Sequence, residues 1–135
     1  MTASMKLTSL RIVTEDIKRL VQFFEKITNL PAQWYTEDFA EIITGTSTLA
    51  IGSVRTMSLF GEGIAKPASN KSVIIEFRVE NVDDEFERIK YLIGDVIQEP
   101  TTMPWGNRSL LFRDPDGNLI NFFTPVTLGA ISKFS

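Results

Sequence analysis

The chain runs through the same change of hydrophobic period twice, and the two passes are offset by nearly half its 135 residues. Residues 7–13 alternate as a strand does, with Leu10 and Ile12 on one face and Ser9 and Arg11 on the other. Thr14, Glu15 and Asp16 then supply polar caps, Asp16 being the N-cap the spacing predicts. From Ile17 the period becomes helical, with Ile17, Leu20, Val21, Phe24 and Ile27 on one stripe and Lys18, Arg19, Gln22 and Glu25 opposite. Residues 29–31 stop that helix, and short strands are expected over 33–35, 39–43 and 48–53.

The second pass keeps the order. Residues 72–79 alternate, Asn81 caps a helix with the stripe Val82, Phe86, Ile89, Leu92 and Ile93, and strands follow near 95–98, 108–113 and 119–124. The two caps, Asp16 and Asn81, stand 65 residues apart. Two β-α-β-β-β modules, over 6–53 and 72–124, account for this in an α+β chain. Residues 54–71 read as a linker loop and 125–135 as a C-terminal tail.

Composition narrows the chemistry. There is no cysteine and no histidine, so thiol nucleophiles, iron–sulfur clusters, histidine bases and the usual zinc sites are excluded. A metal would need an all-oxygen shell. Seventeen acidic against fourteen basic residues give a net charge of −3, which argues against nucleic acid as a partner. No stretch has the ~18 apolar residues of a membrane span, and residues 1–6 lack a signal-peptide core. No membrane partner and a cytoplasmic location are expected.

The sharpest local motif is Asp114-Pro115-Asp116-Gly117 between two apolar strands. Proline second and glycine fourth favour a tight reversal. A calcium loop is excluded, because its bidentate glutamate would fall on Pro125. Gly61-Glu62-Gly63 is a poor phosphate loop, with neither a strand before it nor a lysine-hydroxyl ending.

Four segments together resemble the vicinal oxygen chelate superfamily, which groups glyoxalase I, extradiol dioxygenases, fosfomycin-resistance enzymes and bleomycin-resistance proteins. They are residues 10–16, residues 77–83, the run Met103-Pro104-Trp105-Gly106-Asn107-Arg108, and residues 112–120. The resemblance spans about 6–124. It implies the glyoxalase/bleomycin-resistance fold, in which two modules form a curved mixed sheet around a cleft. In metal-dependent relatives that cleft holds a divalent ion. The corresponding ligand positions here are Ser9, Ala50, Ile74 and Asn121. All four depart from the histidine and glutamate pattern, so no metal and no cofactor are expected.

Strand alternation puts Ser9, Arg11, Val13, Ala50, Gly52, Ile74, Glu76, Arg78, Asn121 and Phe123 on the faces opposite the helices. Arg11 and Glu76 hold equivalent places, each two residues beyond a missing ligand position. Two such residues suit either an ion pair across the cleft or the holding of a charged ligand. Trp34, Tyr35, Phe39 and Trp105 are candidate stacking surfaces. Arg108 is a candidate anion clamp, and Glu76, with Glu41 near it, a candidate base. The expected function is that of a metal-independent homodimer binding a small aromatic or cationic ligand in the cleft. The alternative is a metal-free lyase or isomerase with Glu76 as base and Arg11 as electrostatic stabiliser. A partner-binding domain with a vestigial cleft is a third reading.

Overall fold

The first strand, β1 (Ser9–Thr14), hands the chain to α1 (Ile17–Thr28) through the expected cap. The Asp16 carboxylate accepts from the Arg19 amide at 3.2 Å, satisfying one of the donors a helix start leaves open. Ile17, Leu20, Val21, Phe24 and Ile27 are all buried, each contributing roughly 1.5–3 kcal/mol by leaving water. Asn29 ends the helix in the left-handed conformation, φ 57°, its amide returning to the Glu25 carbonyl. β2 (Gln33–Thr36), β3 (Phe39–Ile43) and β4 (Thr48–Ser53) complete a four-stranded mixed sheet of order β1-β4-β3-β2, in which β1 and β4 run parallel. This computed structural model describes residues 4–135 and resolves two units, one ending at Ser69 and the other beginning at Asn70.

The second unit repeats the plan with β5 (Ile74–Arg78), α2 (Val82–Ile89), β6 (Val96–Thr102), β7 (Asn107–Arg113) and β8 (Leu119–Pro125). Its sheet order is β5-β8-β7-β6, with β5 and β8 parallel. Asn81 caps α2 by accepting from the Asp84 amide at 3.1 Å. Asp83, Asp84 and Glu85 place negative charge at the positive end of the helix dipole. The Asp-Pro-Asp-Gly turn joins β7 to β8 as expected. The Asp114 carboxylate accepts from the amides of Asp116 (2.9 Å) and Asn118 (2.8 Å) and from Asn118 Nδ2 (2.7 Å). Gly117 supplies the positive φ, 84°, that closes the turn. Burial pushes the Asp114 carboxyl above the ordinary aspartate range, against the pull of these hydrogen bonds.

Several expectations change. α2 stops at Ile89, so Leu92 and Ile93 lie beyond it. Ile93 is nevertheless buried, held by a last helical bond to Ile89, whereas Leu92 is exposed. β6 is longer than the expected 95–98 and contains Pro100; it sits at the sheet edge, where a missing amide costs little, and its register is irregular.

The linker begins with a 3-10 helix, Val54–Leu59, and the tail carries α3 (Leu128–Lys133), capped by the Thr127 hydroxyl. Each module therefore continues past its last strand into a short helix, which a period-based reading is too coarse to register. α3 lies against Gly106 (φ 98°): a Cβ there would stand 2.1 Å from Thr127 Oγ1 and 3.0 Å from the Ala130 methyl. Among the described residues no helix is long and apolar enough to cross a membrane.

Candidate functional site

In the first module, Ala40, Ile42, Leu49 and Ile51 are buried on the α1 side of the sheet. The register leaves two rows on the other face. Arg11, Ala50 and Glu41 form one; Val13, Gly52 and Phe39 form the next. The Arg11 guanidinium lies 5.0 Å from the centre of the Phe39 ring and 5.7 Å from that of Phe60, which follows the 3-10 helix. Tyr35 packs against Phe39 at 6.0 Å. The neighbouring Glu41 carboxylate, as an acceptor for the hydroxyl and as a negative charge, raises the Tyr35 pKa. Ser9 is exposed at the end of the sheet beside Thr48. Trp34 does not join this group: it pairs with Ala40, on the α1 side of an edge strand, and is 43% exposed.

In the second module the equivalent rows are Glu76, Asn121 and Leu111, then Arg78, Phe123 and Ser109, with Ile74, Leu119 and Arg113 at the far end. Asn121 Nδ2 donates to Glu76 Oε2 at 2.9 Å. Asn121 is 8% exposed and its Oδ1 is buried without a partner, whereas Glu76 is exposed. Phe123 is covered from within its own module. Its ring lies 5.2 Å from Phe134, and Arg78 both donates to the Phe134 carbonyl and sits 6.0 Å from that ring. The ligand-facing position expected of Phe123 is thus occupied by the C-terminal segment.

Arg108 is likewise committed elsewhere. It grips Asp83 in the first turn of α2 through two bonds of 2.8 and 3.0 Å and touches Thr102. That pairing holds the Asp83 carboxyl below the usual aspartate range and raises the Arg108 pKa. Sequence alternation cannot foresee such a pairing, because Asp83 and Arg108 are 25 residues apart. Trp105 stands 68% exposed in the loop between β6 and β7. Phe60 and Phe134 were missed as site residues. The only sequence signal for either is an aromatic side chain in a segment read as loop or tail.

The donor set can be tested against a divalent ion of the family type. Ser9 offers a neutral hydroxyl, Ala50 and Ile74 offer hydrocarbon, and the Asn121 amide is bonded to Glu76. Among the described residues no three Asp or Glu side chains gather as a metal-holding set. Divalent ions need several oxygen ligands and compensating negative charge, and these four positions do not fit one. What these faces expose is a cation flanked by aromatic rings, Arg11, in one module and a carboxylate braced by an amide, Glu76, in the other.

Comparison with known proteins agrees with this architecture. The chain is 29% identical over 126 residues to the uncharacterized protein YraH of Bacillus subtilis, covering 88% of this chain and 98% of that one. A glyoxalase/bleomycin resistance protein/dioxygenase family enzyme from Burkholderia phytofirmans superposes with a TM-score of 0.81 at 16% identity, covering 90% of this chain and all of that chain (100%). A glyoxalase/bleomycin resistance protein/dioxygenase from Nocardioides gives 0.76 at 20% identity, covering 96% and 89%. At such identities the two structures show the shared fold. The model of the Glyoxalase/Bleomycin resistance protein/Dioxygenase superfamily matches residues 6–122, and it is to this superfamily that the chain belongs.

Proposed function

We propose that the protein is a metal-independent binder of a small aromatic or cationic molecule, acting as a homodimer of the bleomycin-resistance kind. The observation that carries this reading is the Asn121–Glu76 bond. In the resemblance, position 121 is where a metal-binding glutamate stands. Here an amide at that position braces a neighbouring carboxylate, which stays exposed. An exposed carboxylate is an acceptor for a ligand's ammonium or amidinium group, and charge-assisted bonds of this kind are the strong ones. Trp105, largely exposed, supplies a stacking surface.

The test uses 2-naphthylmethylamine as a cationic aromatic probe, with 2-methylnaphthalene as its uncharged counterpart. The amine is expected to bind at least tenfold more tightly, and Glu76→Gln to remove the difference. Equal binding of the two probes, or no effect of Glu76→Gln, overturns the cationic reading. The enzyme alternative, with Glu76 as base and Arg11 as stabiliser, requires turnover of a carbonyl substrate that Glu76→Gln abolishes. No nucleophile–base pair favours it.

A further inference from the structure

Glu76 and Arg78 stand two positions apart on β5, on one face of the strand and about 6.5–7 Å from each other along it. Both side chains are exposed, and opposite charges at that spacing are within reach of one another. Among the described residues they nevertheless do not pair, and neither takes part in another ion pair. Arg78 is drawn to the C-terminal segment instead. Its guanidinium donates to the Phe134 carbonyl and lies 6.0 Å from the centre of the Phe134 ring.

Phe134 is held in its turn. Its ring packs at 5.2 Å on Phe123, the β8 neighbour of Arg78, and the Lys133 ammonium lies 5.2 Å from the same ring. The other arginine of this face, Arg113, lies 3.8 Å from Asp95 and donates to the Gly117 carbonyl at 3.0 Å. Both arginines of the face are thus tethered away from Glu76, whose carboxylate receives the neutral Asn121 amide.

The tether on Arg78 is built to yield. α3 has six residues, well short of the ~12–15 that an isolated helix needs, and Ala130 is its one buried residue. The segment is fastened where the Val126 and Thr127 amides meet the Gly106 carbonyl, and again at Phe134. Segments with so few buried contacts belong to the low-stability end of a fold's local openings.

We propose that Phe134 is a positioning residue for the Glu76 site, its carbonyl and ring holding Arg78 off the carboxylate so that a cationic ligand finds it free. When the segment lets go, Arg78 swings onto Glu76 and its charge closes the site to a cation. Docking of residues 128–135 and cation binding at Glu76 therefore favour each other. The ligand half of this inference rests on the Glu76 reading; the placement of Arg78 does not.

The experiment follows Glu76 in the full chain at low salt, where an exposed pair is least screened. One readout, the carboxyl titration of Glu76 by carbon-detected NMR, needs no ligand. The other is calorimetric titration with 2-naphthylmethylamine. Phe134→Ala is expected to lower the Glu76 pKa by a few tenths of a pH unit and to weaken amine binding about threefold, the size an exposed ion pair supports. Adding Arg78→Gln is expected to cancel both effects. Leu128→Ser, at an exposed residue of α3, is expected to produce neither.

An unmoved Glu76 pKa in Phe134→Ala, as when Arg78 turns to Glu80 instead, overturns the proposal. So does tighter amine binding in that variant, which makes Phe134 a competitor for the face, and so does a loss that persists with Arg78→Gln. A lowered Glu76 pKa together with equal binding of the amine and 2-methylnaphthalene upholds the placement of Arg78 and puts the failure in the Glu76 reading.

Discussion

Asn121 and Glu76 sit side by side on parallel strands, β8 and β5, joined by a 2.9 Å hydrogen bond from the amide to the carboxylate. The same place in the first module pairs Ala50 with Arg11. One scaffold thus carries a carboxylate beside an amide at one position and a guanidinium beside a methyl at its repeat. Neither pair offers what a divalent ion requires.

Elemental analysis of the purified protein therefore has a definite expected outcome. Manganese, iron, nickel and zinc are each expected well below one equivalent per chain, and chelator treatment is expected to leave the melting temperature unchanged. One equivalent of any of them refutes the metal-independent reading.

Arg108 is bound to α2 and is expected to contribute to stability rather than to ligand affinity. Arg108→Leu should leave probe binding unchanged. Because Arg108 lowers the Asp83 pKa, their interaction is fully present above the ordinary aspartate value and is lost as pH falls through the lowered one. Urea melts of native protein and variant should differ at pH 7 and converge in acid. The difference stays small, since Asp83 is largely solvated.

Asp114 has the opposite sign. Its folded pKa is raised, so the native state holds the proton longer than the unfolded one. Stability linked to this group falls as pH rises from the ordinary aspartate value through the raised one. Asp114→Ala removes three hydrogen bonds from a buried turn and is expected to cost about 2–3 kcal/mol in urea denaturation at pH 7. A loss below about 0.5 kcal/mol would show that the turn does not depend on its carboxylate.

Gly106→Ala tests the C-terminal cover. The added methyl collides with Thr127 and requires a positive φ, a combination expected to cost more than about 1 kcal/mol. Hydrogen exchange over residues 127–135 should speed up, while α1 is unaffected. If Phe134 leaves with the tail, Phe123 becomes accessible, and binding of a hydrophobic dye should rise.

The local code was legible at the positions where it is short-ranged. Asp16 and Asn81 cap their helices because a cap needs only an acceptor three residues before an amide. The α1 stripe is buried where the helical period places it. Asp114 to Gly117 make the turn that their conformational preferences demand. Strand alternation likewise put Arg11 and Glu76 on the faces away from the helices, since a period of two allows only two faces.

What alternation left open was which of those residues meet a partner. Phe123 read as a residue of the face opposite the helices, Trp34 as a stacking surface and Arg108 as an anion clamp. Trp34 sits on the α1 side of its edge strand. Arg108 is held by Asp83, and Phe123 lies under Phe134. Conversely, Phe60 gained a role because a 3-10 helix folds it back onto Arg11.

The amino-acid sequence alone determined the two modules and their caps, because each depends on residues a few positions apart, and it fixed the absence of cysteine and histidine. The tertiary structure decided which charges are spent and which stay free. Glu76 meets Asn121 across 45 residues of chain, and Arg11 meets two rings brought from β3 and from beyond β4. Such meetings are set by strand register and by where a following segment folds back, and no local period encodes either.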